Sequence, residues 1–198
     1  MMKRLMDIVL SLAGLVILSP VFAVTAFLIK RDSEGPVFFR QERMGKDFRP
    51  FMICKFRTMT KGAETRGARV TVGGDTRITR IGRVLRRCKI DELPQLLNVL
   101  KGEMSLVGPR PEVREYVELF KQEYGKLLRV RPGITDPASL RYSEEEMVLS
   151  SADNWQADYA NRILPEKIRL SLRYVEKHDI FTDVGLIFRT IFKIAEIR

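Results

Sequence analysis

Cysteine and histidine are almost missing from this chain of 198 residues: Cys54 and Cys88 are its only cysteines and His178 its only histidine. Two cysteines cannot build a disulfide scaffold. With no CxxC pair and one histidine, Cys/His zinc sites are excluded, and a reducing compartment is the default. A serine or cysteine nucleophile that relied on an imidazole base would have only His178. Internal repeats, low-complexity tracts and a linker within residues 32–198 are absent as well. What the chain has in excess is positive charge. Thirty-five Lys and Arg stand against 25 Asp and Glu, a formal net charge of +10. That surplus calls for an anionic partner: nucleic acid, phospholipid headgroups or phosphorylated small molecules. A hydrophobic content of 45% with 30% charged residues excludes a wholly disordered chain.

One apolar run dominates the N-terminus. Residues 8–29 form 22 positions without a charge. A straight helix of that length measures about 33 Å and would cross a hydrocarbon core of about 30 Å. Two features favour a different arrangement. Pro20 lacks an N–H and its ring collides with the preceding turn, so it kinks or breaks the helix, and Ser19 beside it can bond the freed carbonyls. Both flanks are also basic, Lys3 and Arg4 before the run and Lys30 and Arg31 after it. The positive-inside tendency wants both pairs in the cytoplasm, which one span cannot satisfy. A re-entrant helical hairpin over residues 1–31, broken at Ser19 and Pro20, satisfies both. A simple span and a cleaved signal peptide are the alternatives, the latter disfavoured by a run longer than the usual h-region.

The rest, residues 32–198, reads as one domain of α+β class, mainly helical. Residues 37–43 and 51–57 read as a β-hairpin around a turn at Met44-Gly45-Lys46-Asp47. Residues 61–74 are polar and Gly-rich and read as a mobile loop. A helix is expected over 75–88, with Ile78, Ile81, Leu85 and Cys88 on one face and Arg77, Arg80, Arg83 and Arg86 on another. Leu93, Leu96, Leu97 and Leu100 stripe a second helix, stopped by Gly102. A third helix is expected over 112–128, ended by Arg131-Pro132-Gly133. Pro165 starts a long helix to about His178. Residues 182–197 are amphipathic and basic, a pattern that suits a membrane surface or a core-packing terminal helix equally.

The chemistry concentrates at Arg86-Arg87-Cys88-Lys89-Ile90-Asp91-Glu92-Leu93-Pro94. Asp91 and Glu92 are expected to open the leucine-striped helix, whose free N–H groups suit phosphate. Two adjacent carboxylates beside arginines are rationalised by Mg²⁺, a hard ion shared readily with diphosphate oxygens, with the arginines holding phosphate by paired hydrogen bonds. The plainer alternative makes Asp91 an N-cap and Glu92 a first-turn acid favoured by the helix dipole. Downstream, Pro109 and Pro111 bracket Arg110 and fix its backbone, presenting a guanidinium as an anion clamp.

The block Asp91-Glu92-Leu93-Pro94-Gln95-Leu96-Leu97-Asn98-Val99-Leu100-Lys101-Gly102, followed by Met104-Ser105-Leu106-Val107-Gly108-Pro109-Arg110-Pro111, resembles the signature of the bacterial sugar transferases, the monotopic polyprenyl-phosphate phosphoglycosyl transferases. Lys55-Phe56-Arg57-Thr58-Met59, Arg131-Pro132-Gly133-Ile134-Thr135 and the Ser19-Pro20 break resemble the same family. The similarity covers nearly the whole chain and fits the small form of the family. After Thr135 the chain departs from the common pattern, reading Asp136-Pro137-Ala138-Ser139-Leu140-Arg141, so the resemblance does not specify a sugar.

The resemblance implies an enzyme that moves a sugar-1-phosphate from a UDP-sugar to membrane polyprenyl (undecaprenyl) phosphate, releasing UMP and opening surface-glycan assembly. It implies a covalent phosphosugar on Asp91, Glu92 as the metal-side partner, Mg²⁺ at Asp91 and Glu92, and Arg86 and Arg110 as phosphate binders. Membrane lipids are implied as partners and nucleic acid is not. A homodimer is left open, and the expected location is the bacterial inner membrane with the catalytic domain on its cytoplasmic face. The competing reading is a membrane-anchored basic adaptor without catalysis.

Overall fold

The computed structural model describes residues 2–63, 75–143 and 154–196. The expected loop over 61–74 lies mostly outside them, as does the stretch 144–153. The described residues are mainly helical with two small sheets, in line with the α+β expectation.

The N-terminal run forms two helices, α1 (Met2–Ile17) and α2 (Ser19–Asp32). Their axes turn by 60° at Leu18, so the arms diverge and do not fold back on each other. The cause is local. Pro20 cannot donate to the carbonyl one turn back, and Ser19 Oγ donates to Val16 O instead, at 2.8 Å. Among the described residues no single helix is long and apolar enough to cross a membrane; this bent pair reaches the necessary length and apolarity only together.

Both ends of the pair are fastened to the rest of the chain. Lys3 Nζ donates to Val107 O at 3.0 Å and pairs with the buried Asp183. Arg4 donates to Val99 O and Leu100 O at 2.6 and 3.0 Å. Asp7, only 2% exposed, accepts from Ser105 Oγ and from the backbone of Leu106. At the far end Arg57 donates to Ser33 O at 2.7 Å, and Asp32 accepts from Ile81 N at 3.0 Å. Lys3 and Arg4 therefore fasten α1 to the rest of the chain. Between these anchors Val9, Leu12, Val16, Ile17, Val24 and Phe27 stay exposed.

Strands β1 (Phe38–Met44) and β2 (Pro50–Phe56) form the expected antiparallel hairpin, in register from Phe38 opposite Phe56 to Met44 opposite Pro50. Helix α3 (Arg80–Arg87) starts five residues later than the periodicity suggests, because Thr79 caps it by accepting from Gly82 N. Arg77 is therefore not part of an arginine face; it lies before the helix and pairs with Asp75 at 2.6 Å. A 3₁₀ turn, Ile90–Glu92, leads to α4 (Gln95–Lys101). Gly102 ends α4 with φ of 85°, a left-handed position where glycine carries no penalty.

Strands β3 (Ser105–Val107) and β4 (Gly133–Thr135) pair in parallel. The helix expected over 112–128 is divided into α5 (Arg114–Leu119) and α6 (Lys121–Leu127), because Phe120 turns inward against the core at φ −116°, ψ 43°. It also starts late. Glu112 accepts from Val113 N, Arg43 and Tyr159, and its carbonyl accepts from Met44 N, which ties that residue to β1.

Asp136 caps a short α7 (Pro137–Arg141). Then α8 (Trp155–Asp158) and a π-helical turn (Tyr159–Ile163) run into α9 (Leu164–Lys177), so the helix expected from Pro165 has a helical lead-in. The terminal α10 (Ile180–Glu196) buries Asp183 and Leu186 and exposes Phe181, Phe188, Ile191 and Phe192. The main core gathers Met44, Val117, Leu127, Tyr159, Leu164 and Ile168.

Candidate active site

Asp91 and Glu92 sit on the 3₁₀ turn, and α4 begins three residues later with Pro94 at its cap. This corrects the expectation that the two acids open the leucine helix. The backbone donors there are also engaged: Leu93 N bonds Ile90 O at 3.1 Å, Leu96 N bonds Leu93 O at 3.1 Å and Leu97 N bonds Pro94 O at 3.0 Å. Those three N–H groups are therefore not free for a phosphate. Positive charge at the turn comes from the side chains of Lys55, Arg86, Lys89 and Arg110.

The turn starts at Lys89, in the left-handed region at φ 55°, which drives the next residues inward. Asp91 is 7% exposed, and the Glu92 side chain 14%. Glu92 Oε1 accepts from Lys55 Nζ at 2.8 Å and from Arg110 Nη2 at 2.6 Å; Oε2 accepts from Arg110 Nη1 at 3.3 Å. Glu92 is thus a hub between β2 and the 108–111 loop. Among the described residues no hydrogen bond or ion pair reaches the Asp91 carboxylate. Arg86 donates from Nε to Thr58 Oγ1 at 3.0 Å, and its charge acts on Asp91.

The two acids titrate in opposite directions. Burial pushes the Asp91 carboxyl up to about 6; Lys55, Arg86 and Lys89 pull the other way, while Glu92 adds to the rise. Burial acts on Glu92 too, but Arg110 and Lys55 overcome it and hold that carboxyl well below its usual range. Burial lowers Lys55, opposed by Glu92. The site thus pairs a locked anion with a less acidic carboxyl alongside it.

Backbone pairing places Arg110. Gly108 N donates to Thr135 O at 3.0 Å, Gly133 N to Pro109 O at 3.0 Å and Ser105 N to Pro132 O at 2.8 Å. Two glycines permit this: a Cβ on Gly133 would lie 2.0 Å from Gly108 N, and one on Gly108 would lie 2.5 Å from Arg131 O. Asn98 locks α4 to β2 by accepting from Cys54 N and donating to Met52 O, at 2.9 and 2.8 Å.

The expected residues Asp91, Glu92, Arg86 and Arg110 do converge. Lys55 was not singled out for this role in the sequence. Its position in β2, between the buried Cys54 and Phe56, is the signal that betrays it.

Among the described residues no group of three or more Asp, Glu, Cys or His can cage a metal. Mg²⁺ rarely needs such a cage and is usually held by one or two carboxylates plus substrate phosphates. The open oxygens of Asp91 fit that mode, with Glu92, already engaged by Lys55 and Arg110, as its neighbour.

Beside Glu92 and Arg110 lies a cavity of about 300 Å³, walled by aliphatic side chains of α4, β3, β4 and α10. The sequence did not foretell it, since its walls come from segments a hundred residues apart.

Comparison with known proteins fits these features. The sequence model of the family described as bacterial sugar transferase matches residues 1–196. A UDP-N-acetylgalactosamine-undecaprenyl-phosphate N-acetylgalactosaminephosphotransferase of Aeromonas hydrophila is 42% identical over 192 residues, covering 96% of this chain and 42% of that protein. An undecaprenyl-phosphate glucose phosphotransferase of Komagataeibacter xylinus is 42% identical over 196 residues, 96% of this chain and 35% of its own length. The chain thus spans about two-fifths of the length of these two relatives. An exopolysaccharide production protein PSS of Rhizobium leguminosarum bv. phaseoli is 41% identical over 197 residues, covering 96% of this chain and 93% of that protein. From the Asp91-Glu92 turn to the Arg110 loop, and across nearly all its length, the chain belongs to the bacterial sugar transferase family.

Proposed function

We propose that this protein transfers a sugar-1-phosphate from a UDP-sugar to undecaprenyl phosphate at a membrane surface, in two displacements through Asp91. The observation that carries the reading is the contrast at one turn: Glu92 locked as an anion by two cations, and Asp91 buried with no hydrogen-bonding partner among the described residues. The named activities of the relatives support the substrate classes, and their sugars differ, so the donor sugar stays open.

In the first displacement an Asp91 oxygen attacks the phosphorus that carries the sugar. The anhydride P–O bond breaks and UMP departs with the bonding electrons. In the second, a phosphate oxygen of the lipid attacks the same phosphorus and the Asp91 carboxylate is released. No proton need be gained or lost by the carboxylate. Arg110 and Arg86 neutralise phosphate oxygens, with guanidinium geometry suited to paired hydrogen bonds. Glu92 positions Arg110 and Lys55. Asp91, beside the engaged Glu92, would hold Mg²⁺ together with the substrate phosphates, and the ion when bound would supply further neutralisation of the diphosphate.

Membrane attachment belongs to the same proposal. Because both ends of the α1–α2 pair are anchored to one folded unit, an inserted pair would enter and leave by the same face. This re-entrant arrangement over residues 1–31 keeps domain 32–198 on the cytoplasmic side of the bacterial inner membrane, where nucleotide sugars are. Covalent chemistry is tested by incubating the protein with donor alone and weighing it. A sugar-phosphate adduct mapping to Asp91, absent in Asp91→Asn, is expected; turnover in Asp91→Asn at the wild-type rate would reject the mechanism.

A further inference from the structure

We propose that the cavity beside Glu92 and Arg110 receives the first prenyl units of the acceptor, delivered along α10. This rests on the transfer reading and assigns its lipid a place. About 300 Å³ is the lower end of ligand pockets, room for the phosphate end of a lipid and not its whole tail. Its walls are branched and aliphatic: Leu96 from α4, Leu106 and Ile134 from β3 and β4, Ile187 and Ile194 from α10. Tyr142 is the single aromatic lining residue among those described, and its hydroxyl is bonded to Glu166, so the cavity offers no aromatic sandwich for a flat base.

The lining charge is complementary to that of the acceptor. Lys89, Arg110, Lys167 and Lys193 line the cavity, with Glu92 the lone acid among the described lining residues, a balance that suits a phosphate monoester. Ser139 also lines it, and its buried Oγ has no hydrogen-bond partner among the described residues. The route in is continuous. Ile191 lines the cavity yet is 58% exposed, and it adjoins the outer stripe of Phe181, Val184, Phe188 and Phe192. An apolar track therefore runs from the outside of α10 into the site, and a lipid can slide along it without leaving an apolar surface.

The test uses the full chain in vesicles and a short prenyl phosphate with a diazirine in its second isoprene unit. Adducts on residues 187–194 or Leu140, competed by undecaprenyl phosphate but not by UMP, are expected. Adducts confined to residues 8–29, adducts competed by UMP, or no competed adduct at all would overturn the proposal. Ile191→Ser, at an exposed position, is expected to raise the KM for a long-chain acceptor about tenfold, the effect of one lost apolar contact, while the KM for a one-unit acceptor changes little. An equal rise for both acceptors counts against it. If wild-type protein transfers no sugar-phosphate to any prenyl phosphate, the transfer reading falls, and the adduct map still decides whether the cavity takes prenyl phosphates.

Discussion

Asp91 faces two opposed demands under the proposed mechanism: a nucleophile must be ionised, and a buried group resists ionisation. Its folded-state pKa of about 6 lies above the unfolded value near 3.9. The folded chain therefore binds the extra proton between those values. The stability contributed by that proton is full below about pH 4 and is lost as pH rises through 6. At pH 7 the ionised side chain costs about 1–3 kcal/mol of stability. Asp91→Asn should then unfold later than wild type at pH 7 by about that amount, with the gap closing near pH 4, in denaturant titrations at both pH values. The same variant should lose at least about a thousandfold in UMP release, as expected for a missing nucleophile. For the wild type, the rate of UMP release from donor should climb through about pH 6 and then level off. A flat profile from pH 5 to 8 would show that some other group carries the first step.

Elements matter here through what they hold in place. Strands β3 and β4 have three residues each and contribute little as a sheet, yet their pairing fixes the 108–111 loop and with it Arg110. Gly133→Ala would drive a methyl into the Gly108 backbone. It should destabilise the protein by more than about 2 kcal/mol, as backbone clashes at packed sites do, and should lower kcat even at temperatures where the variant is folded. Thermal melts and steady-state rates check both. This clamp was illegible in the sequence because a parallel pair of three-residue strands leaves no alternating pattern. Pro20, Gly102 and the β1–β2 alternation were legible, since each acts on its immediate neighbours. Asp91, Glu92, Arg86 and Arg110 were legible as candidates by residue type and spacing. The Glu92–Lys55 contact was not, since it joins residues 37 apart across two elements. The late start of α3 turned on Thr79 competing as a cap, a choice that periodicity alone does not weigh.

At the scale of the molecule, both ends of the α1–α2 pair meet one folded unit while the middle stays apolar and exposed. With Cys54 and Cys88 replaced by alanine, Met2→Cys and Glu34→Cys should both react with a membrane-impermeant maleimide from the same face of sealed inverted vesicles. Reaction of only one would mean a true span. The Lys3–Asp183 pair has a temporal consequence. Ribosomes add about 5–20 residues per second, so Asp183 emerges roughly 10–40 s after Lys3. During that interval the start of α1 has none of the partners it will later grip. If α1 enters the bilayer as it is made, its unmatched lysine and arginine keep its tip among the headgroups, and its orientation is chosen by solvation before the rest of the chain exists. The later ionic latch then records an orientation already taken.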